Sequence, residues 1–133
     1  MKLNIINALC GIINSFRFDQ LPEKDALALW KNYIALRKAA EQADKDRDEI
    51  IKKFQADWKD EVGQVQALRD KKEPVVGHDA YLEAEKVANK AIGVLFSTEV
   101  DITLVPVKIE AFKGVPLTFE QLAFMQEAGI IEE

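Results

Sequence analysis

Residues 44–55, DKDRDEIIKKFQ, have the carboxylate spacing of a calcium-binding loop. Asp44 and two further aspartates occupy the first, third and fifth positions of that pattern. The sixth position is Glu49, where such a loop needs glycine for its sharp turn, and the twelfth is Gln55, where it needs a bidentate glutamate. Because both diagnostic residues are missing, the segment is better interpreted as a charged, solvated helix, and we predict no metal site.

His78 is the only histidine and adjoins Asp79, a carboxylate able to orient an imidazole as a general base. A nucleophile to accompany it is missing, because no serine stands in a nucleophile motif. Cys10 is distant in sequence and lies in an apolar stretch typical of a buried small side chain. We therefore interpret His78 as a surface loop histidine without partners, and we predict no catalytic residue.

Three carboxylates near the C-terminal end, Glu99, Asp101 and Glu110, are candidates for acid–base work or metal binding. On a strand, Glu99 and Asp101 point to the side opposite the apolar residues, which makes that side the solvent face. Paired-carboxylate chemistry also requires a pocket. The sequence thus predicts a protein that is not an enzyme and carries no cofactor.

Composition bounds the class of protein. The chain has 133 residues, 48% apolar and 31% charged, which fits a single domain over residues 1–133. Its net charge of −5, with lysine and arginine interleaved among acidic residues, argues against nucleic-acid binding. No apolar run approaches the roughly 20 residues of a membrane span, and the N-terminal segment lacks a signal-peptide pattern. A single cysteine favours a reducing cytoplasm, so we expect a cytoplasmic protein.

Helical patterns dominate the first 95 residues. Residues 2–16 carry a broad apolar stripe, and a helical pattern runs from Pro22 to about residue 72, interrupted only by Gly63. An unbroken helix of that length would be roughly 75 Å long, more than the diameter of a compact chain of this size. We predict a break near residues 60–63, with a single projecting hairpin as the alternative. A loop at 71–79 and a helix at about 80–95 follow.

Large apolar side chains in the long helical run are candidates for an interface. In DALALWKNYIALR they occur almost all round the helix, which is typical of a helix buried on more than one side. Aromatic anchors of this kind often carry interface energy. Apolar residues recur at a seven-residue spacing from Leu27 to Ile34 and again from Ile51 to Val65. The equivalent positions between these two stretches are charged, which predicts that the middle of the run is exposed to solvent. The predicted contact residues of these helices are Leu27, Trp30, Tyr33, Ile34 and Trp58.

The stretch EVDITLVPVKIEAF, residues 99–112, predicts β-structure, because apolar and polar residues alternate. Val100, Ile102 and Leu104 form its apolar side and are further interface candidates, and Pro106 shifts the phase of the alternation. Three pairings remain open: a hairpin of the stretch on itself, which we favour, pairing with residues 2–6, or pairing with another chain. The predicted fold is α+β and mostly helical, with long N-terminal helices, a small antiparallel β element at about 98–112 and a short C-terminal helix.

The C-terminal helix is predicted by LTFEQLAFMQEAGII, with Thr118 and Gln121 as a capping box and Gly129 as the stop. Leu122 and Phe119, with Met125 or Phe124, are expected to form its inner face.

The order of motifs resembles a family of small tailed-bacteriophage proteins of uncharacterised function. The resemblance rests on LPEKDALALWKNYIALRKAA, DRDEIIKKF, EVDITLVPVKIEAF and LTFEQLAFMQEAGII, and residues 59–95 match least. It implies no catalytic residues. We expect a non-enzymatic phage-type protein that acts by protein–protein contact as an assembly factor, minor virion component or adaptor. The alternative is a small regulatory or inhibitory binder of a host protein. The expected partner is a protein, either a second copy in a homo-oligomer or a phage or host protein, in the host cytoplasm or the virion.

Overall fold

The computed structural model describes all residues, 1–133, and is mostly helical, as predicted. Two short 3-10 turns, at Phe18–Gln20 and Ile109–Phe112, accompany the regular elements. None of the helices combines the length and apolar character that a membrane crossing requires. In chain order the elements are α1 (Leu3–Ile13), α2 (Glu23–Asp57), α3 (Lys59–Asp70), α4 (Asp79–Phe96), β1 (Val107–Lys108), α5 (Phe119–Glu127) and β2 (Ile131–Glu132).

The chain divides into two compact units. The first unit comprises Met1–Gln42 and Ser97–Glu133, and the second comprises Ala43–Phe96. Residues 23–42 of α2 belong to the first unit, and residues 43–57 belong to the second. Whether residues 1–133 fold as a single domain stays a prediction.

The core of the first unit begins with the apolar stripe predicted at the N-terminus. Leu3, Ile6, Leu9 and Ile13 of α1 are buried, while Cys10 is only half-buried. On α2 the buried stripe of this unit differs from the predicted seam: the buried positions are Leu29, Asn32, Tyr33 and Leu36. Leu27 and Trp30 are instead 55% and 47% exposed, because the side of the helix that faces the core is the one that carries Leu29 and Leu36.

The long helical run breaks, as predicted, but two residues before the expected region. Trp58 leaves helical geometry with φ −121° and ψ 32°, separating α2 from α3. Asp60 and Glu61 fall in the first turn of α3, where the positive end of the helix dipole favours acidic side chains. These two acidic residues therefore stabilise the start of α3.

The predicted antiparallel hairpin at 98–112 is wrong. β1 pairs in parallel with β2, with Val107 opposite Ile131 and Lys108 opposite Glu132. A parallel pair needs a long crossover, and α5 lies within it. The pairing holds because both apolar members are buried, Val107 at 1% and Ile131 at 3% exposure. This long-range pairing involves only residues 107–108 of the predicted β stretch. The prediction of a strand is also wrong for Ile109–Phe112, which form a 3-10 turn.

α5 begins and ends where the sequence predicted. The Thr118 side chain accepts from the Gln121 amide while the Gln121 side chain accepts from the Thr118 amide, forming the capping box. At the other end Gly129 has φ +88°, and the amide of Ile130 donates to the Met125 carbonyl, a Schellman motif. Met125 faces the core, but the prediction that Phe119 does so is wrong, since this first-turn side chain is 91% exposed.

Candidate functional site

The backbone of residues 99–108 is hydrogen-bonded at three separate places. At its start, a single antiparallel bridge joins Lys2 to Glu99, and the Val100 amide donates to the Met1 carbonyl at 2.8 Å. The alternative pairing with residues 2–6 is thus realised at one bridge only, since α1 begins at Leu3. At the other end of this segment, β1 begins at Val107 and forms the parallel pair with β2.

The middle contact is a side-chain clamp. Asn32 is 1% exposed, and its Nδ2 donates to the Val105 carbonyl at 2.7 Å. The Val105 amide donates to Asn32 Oδ1 at 2.6 Å. The amide of one helix side chain therefore replaces a neighbouring strand at this residue. A buried asparagine is stable in an apolar core because both of its polar atoms are paired here.

Between the N-terminal bridge and the clamp lies a segment that we call the open edge, Asp101–Leu104. None of its backbone amides or carbonyls forms a hydrogen bond within the chain. Its exposure alternates residue by residue, as along an extended chain, with Ile102 and Leu104 half-buried and Asp101 and Thr103 exposed. Backbone groups in this state are available to a strand from another molecule.

The half-buried side chains of the open edge line a groove of about 560 Å³. Ile5, Phe124 and Ala128 contribute further apolar surface, while Glu127 is a charged residue of its lining. The groove and the edge together offer the two components of strand recognition, a line of backbone donors and acceptors and an apolar recess for alternate side chains. This combination forms the candidate site.

The predicted interface residues lie in different places. Ile102 and Leu104 belong to the candidate site, and Val100 is half-buried beside it. Leu27 and Trp30 are exposed on α2, and Ile34 is half-buried there. Tyr33 is a core residue, 9% exposed, whose ring centre lies 5.9 Å from that of Trp30.

In the second unit, Trp58 is half-buried and packs its ring edge-on against Tyr81, with 5.9 Å between ring centres. The ring centre of Phe54 lies 5.3 Å from that of the same tyrosine. Tyr81 also hydrogen bonds Glu85, and burial raises the pKa of its phenol, with the Glu85 charge adding to the effect. These rings make Tyr81 the centre of the second unit's core.

An ion pair closes this core on one side. Arg69 donates through both terminal nitrogens to Glu85, at 2.7 and 2.8 Å. The Arg69 hydrogen bond holds the pKa of the Glu85 carboxyl below its ordinary value, and the Tyr81 hydroxyl contributes in the same direction.

This lowered pKa makes one part of the stability dependent on pH. A carboxyl whose pKa is depressed by folding stabilises the native state above its unfolded pKa, and the contribution is lost as pH falls through the folded pKa. We therefore expect Glu85→Gln to lower the urea midpoint at pH 7 and to narrow the difference from the wild-type protein at pH 3. Equilibrium urea unfolding at both values measures this. The matched control is Glu49→Gln, the same exchange at an exposed position of α2 in the same unit. A gap that widens in acid would contradict the expectation.

The residues first considered for chemistry do not converge on a site. Residues 44–55 lie within α2, where Arg47 contacts Asp44 at 3.4 Å and Asp48 at 3.5 Å, as expected of a charged helix. No group of three or more histidine, cysteine or acidic side chains is placed to hold a metal ion. His78 lies in the predicted loop, but the expectation that it is a surface residue without partners is wrong: its side chain is 17% exposed and its Nδ1 lies 2.9 Å from Glu61 Oε2.

Comparison with known proteins does not extend this description. A scan against protein-family models, a search of curated proteins and a search of solved structures each found no match.

Sequence reasoning missed Asn32, which decides where the open edge ends. A signal for it exists: Asn32 stands three residues after Leu29 and four before Leu36, on the face that the core occupies. A polar residue in that position must find a buried partner. Which backbone group provides the partner is not contained in the local pattern.

Proposed function

We propose that this chain is a non-enzymatic, phage-type protein that acts by protein–protein contact and binds an extended segment of a partner protein at the open edge. The observation that supports this best is the run of backbone groups at Asp101–Leu104 without hydrogen bonds, beside a groove that two of its own side chains line. The phage-type part of the proposal is supported by the resemblance of the four sequence motifs quoted above.

Strand addition explains the arrangement in physical terms. An incoming segment satisfies the main-chain donors and acceptors of the open edge, and its alternate side chains enter the groove. Ile102 and Leu104 point towards that groove, so the segment needs apolar side chains at every second position. The clamp by Asn32 and the bridge at Glu99 fix both ends of the edge, which reduces the ordering cost of binding.

The charge of the groove selects the partner further. Glu127 is exposed and has no ion-pair partner in the chain, and the chain as a whole carries a charge of −5. A lysine or arginine flanking the apolar positions of the incoming segment complements this carboxylate. The proposed ligand is therefore an extended peptide with alternating apolar residues and a basic residue beside them.

Peptide selection against the purified full-length protein tests the proposal. We expect a random-sequence display library to yield peptides of the pattern just described. A fluorescein-labelled copy of a selected peptide should lose at least tenfold in affinity for Thr103→Pro, because proline removes one amide of the open edge. Thr103→Ala is the matched control, since it alters the same exposed side chain and keeps the amide; it should bind as the wild-type protein does.

Two results would overturn the proposal. One is a library that yields no peptide binding more tightly than about 100 μM, a weak affinity for strand addition with side-chain pockets. The other is a selected peptide that Thr103→Pro and Thr103→Ala bind equally well. Circular dichroism of both variants establishes that each retains the helical content of the parent.

A further inference from the structure

A second surface lies on α4, in the other unit, and shares no residue with the open edge. Four of its residues, which we call the α4 face, are Ala80, Ala84, Val87 and Ala91. Val87 is 63% exposed, and Ala80 and Ala91 are exposed as well. Ala84, Val87 and Ala91 line a groove of about 520 Å³ whose opposite wall includes Ile50 and Phe54 of α2.

The spacing of the α4 face is that of a helix–helix seam. Its members follow one another at intervals of four, three and four residues, the alternation of the a and d positions of a heptad. On one flank, Tyr81 is buried in the core of its own unit, and Ala88 is half-buried at the edge of the groove. The seam therefore stands beside the core, and small side chains along it permit close approach of a second helix.

The other flank of the seam carries charges that specify the second helix. Glu83 and Lys90 occupy equivalent heptad positions, are exposed, and have no ion-pair partner within the chain. By contrast, Lys53 and Asp57 on the groove's α2 wall pair with each other at 3.5 Å. Of the charged residues beside the groove, those on α2 thus form an ion pair within the chain, while Glu83 and Lys90 on α4 do not.

Only one antiparallel register pairs these charges favourably. With Ala84 facing Val87 of a second copy, and Ala80 facing its Ala91, Glu83 lies beside the second copy's Lys90 on both sides of the two-fold axis. Sliding by one heptad in either direction opposes two Glu83 side chains or two Lys90 side chains. We propose that two copies of this chain form a homodimer through antiparallel packing of their α4 faces.

Sedimentation equilibrium of the full-length protein tests the dimer. We expect a mass twice the 15.0 kDa of one chain. Val87→Glu should give a monomer, because two carboxylates then meet near the two-fold axis, while the exposed position keeps the fold intact. Circular dichroism and the urea midpoint verify the fold of each variant.

A charge-swap series distinguishes this register from any other association. Glu83→Lys alone and Lys90→Glu alone should each raise the dimer dissociation constant about tenfold, because each reverses two ion pairs. The double variant should restore it to within about threefold of the parent, since the pairs are re-formed with exchanged signs. A 15.0 kDa species at all concentrations up to about 500 μM, or a double variant as weak as the single ones, would overturn the proposal.

Discussion

Asn32→Ala should lower the free energy of unfolding by about 2–4 kcal/mol, the largest effect we expect of any polar substitution in the first unit. Both hydrogen bonds to Val105, at 2.6 and 2.7 Å, are lost, and the backbone amide and carbonyl of Val105 remain without a protein partner. The buried site also gains a cavity, because Asn32 is only 1% exposed. Equilibrium urea unfolding of the wild-type and variant proteins measures the difference.

A second substitution at the same position separates hydrogen bonding from packing. Asn32→Asp keeps the size of the side chain but replaces the donor by a carboxylate oxygen that faces the Val105 carbonyl. Protonation restores a donor, so folding raises the pKa of the introduced carboxyl. Its stabilising contribution is present below the unfolded value of about 3.9 and is lost as pH rises through the folded value. We expect this variant to be closer to the wild-type stability at pH 3 than at pH 7.

The control for both variants is Asn89→Ala, the same exchange at an exposed helical position, which should change the stability by less than about 0.5 kcal/mol. A loss below about 1 kcal/mol for Asn32→Ala would show that the clamp contributes little. Because the clamp fixes one end of the open edge, Asn32→Ala should also weaken binding of a selected peptide, even at temperatures where the variant is fully folded.

Tyr81→Ala should destabilise the second unit by about 3–5 kcal/mol, as removal of a buried aromatic ring does in other cores. The ring is 4% exposed and contacts both Phe54 and Trp58. Its loss leaves a cavity beside the helix break and removes a hydrogen bond to Glu85. Urea unfolding followed by tryptophan fluorescence in a Trp30→Phe background reports this directly, because Trp58 is then the only tryptophan.

Tyr81→Phe is the matched variant, since it keeps the ring and removes only the hydroxyl. We expect it to cost about 1 kcal/mol, the usual net contribution of one hydrogen bond. It should also raise the pKa of Glu85, because one of the groups that lower it is gone. Equal stabilities for Tyr81→Ala and Tyr81→Phe would contradict a core built around the ring.

The helices were predictable because their signals are local. The apolar stripe predicted at residues 2–16 is the buried side of α1, where Leu3, Ile6 and Ile13 lie, and the Thr118–Gln121 pair located the start of α5. The break in the long run followed from its length, and the structure puts it at Trp58. The buried face of α2 was not predictable in the same way, because apolar residues surround the helix and only its packing partners select Leu29 over Leu27.

The β-structure was mispredicted because it depends on distant residues. The local alternation around Pro106 is compatible with a hairpin, yet Val107 pairs with Ile131, which follows α5. Strand pairing of this kind is set by how the helices pack, a property that a period-two pattern does not encode. The same reason kept the clamp by Asn32 hidden, although its polarity on an apolar face was visible.

Part of the candidate site could nevertheless be derived from sequence. Ile102 and Leu104 were identified as contact residues from their alternation, and an exposed strand edge was among the pairings considered. Phe124 and Glu127 could not be assigned to the site, because they come from α5 and reach the groove only through the fold. Tyr33 shows the converse, an aromatic residue predicted for contact that belongs to the core.

The most direct test of the open edge is residue-resolved amide hydrogen exchange, measured by nuclear magnetic resonance with and without a selected peptide. In the free protein the amides of Asp101–Leu104 should exchange rapidly, while the amide of Val105, bound to Asn32, is protected. Saturating peptide should slow exchange at alternate residues of the open edge by at least tenfold. Unchanged exchange there, with protection appearing elsewhere, would contradict strand addition at this edge.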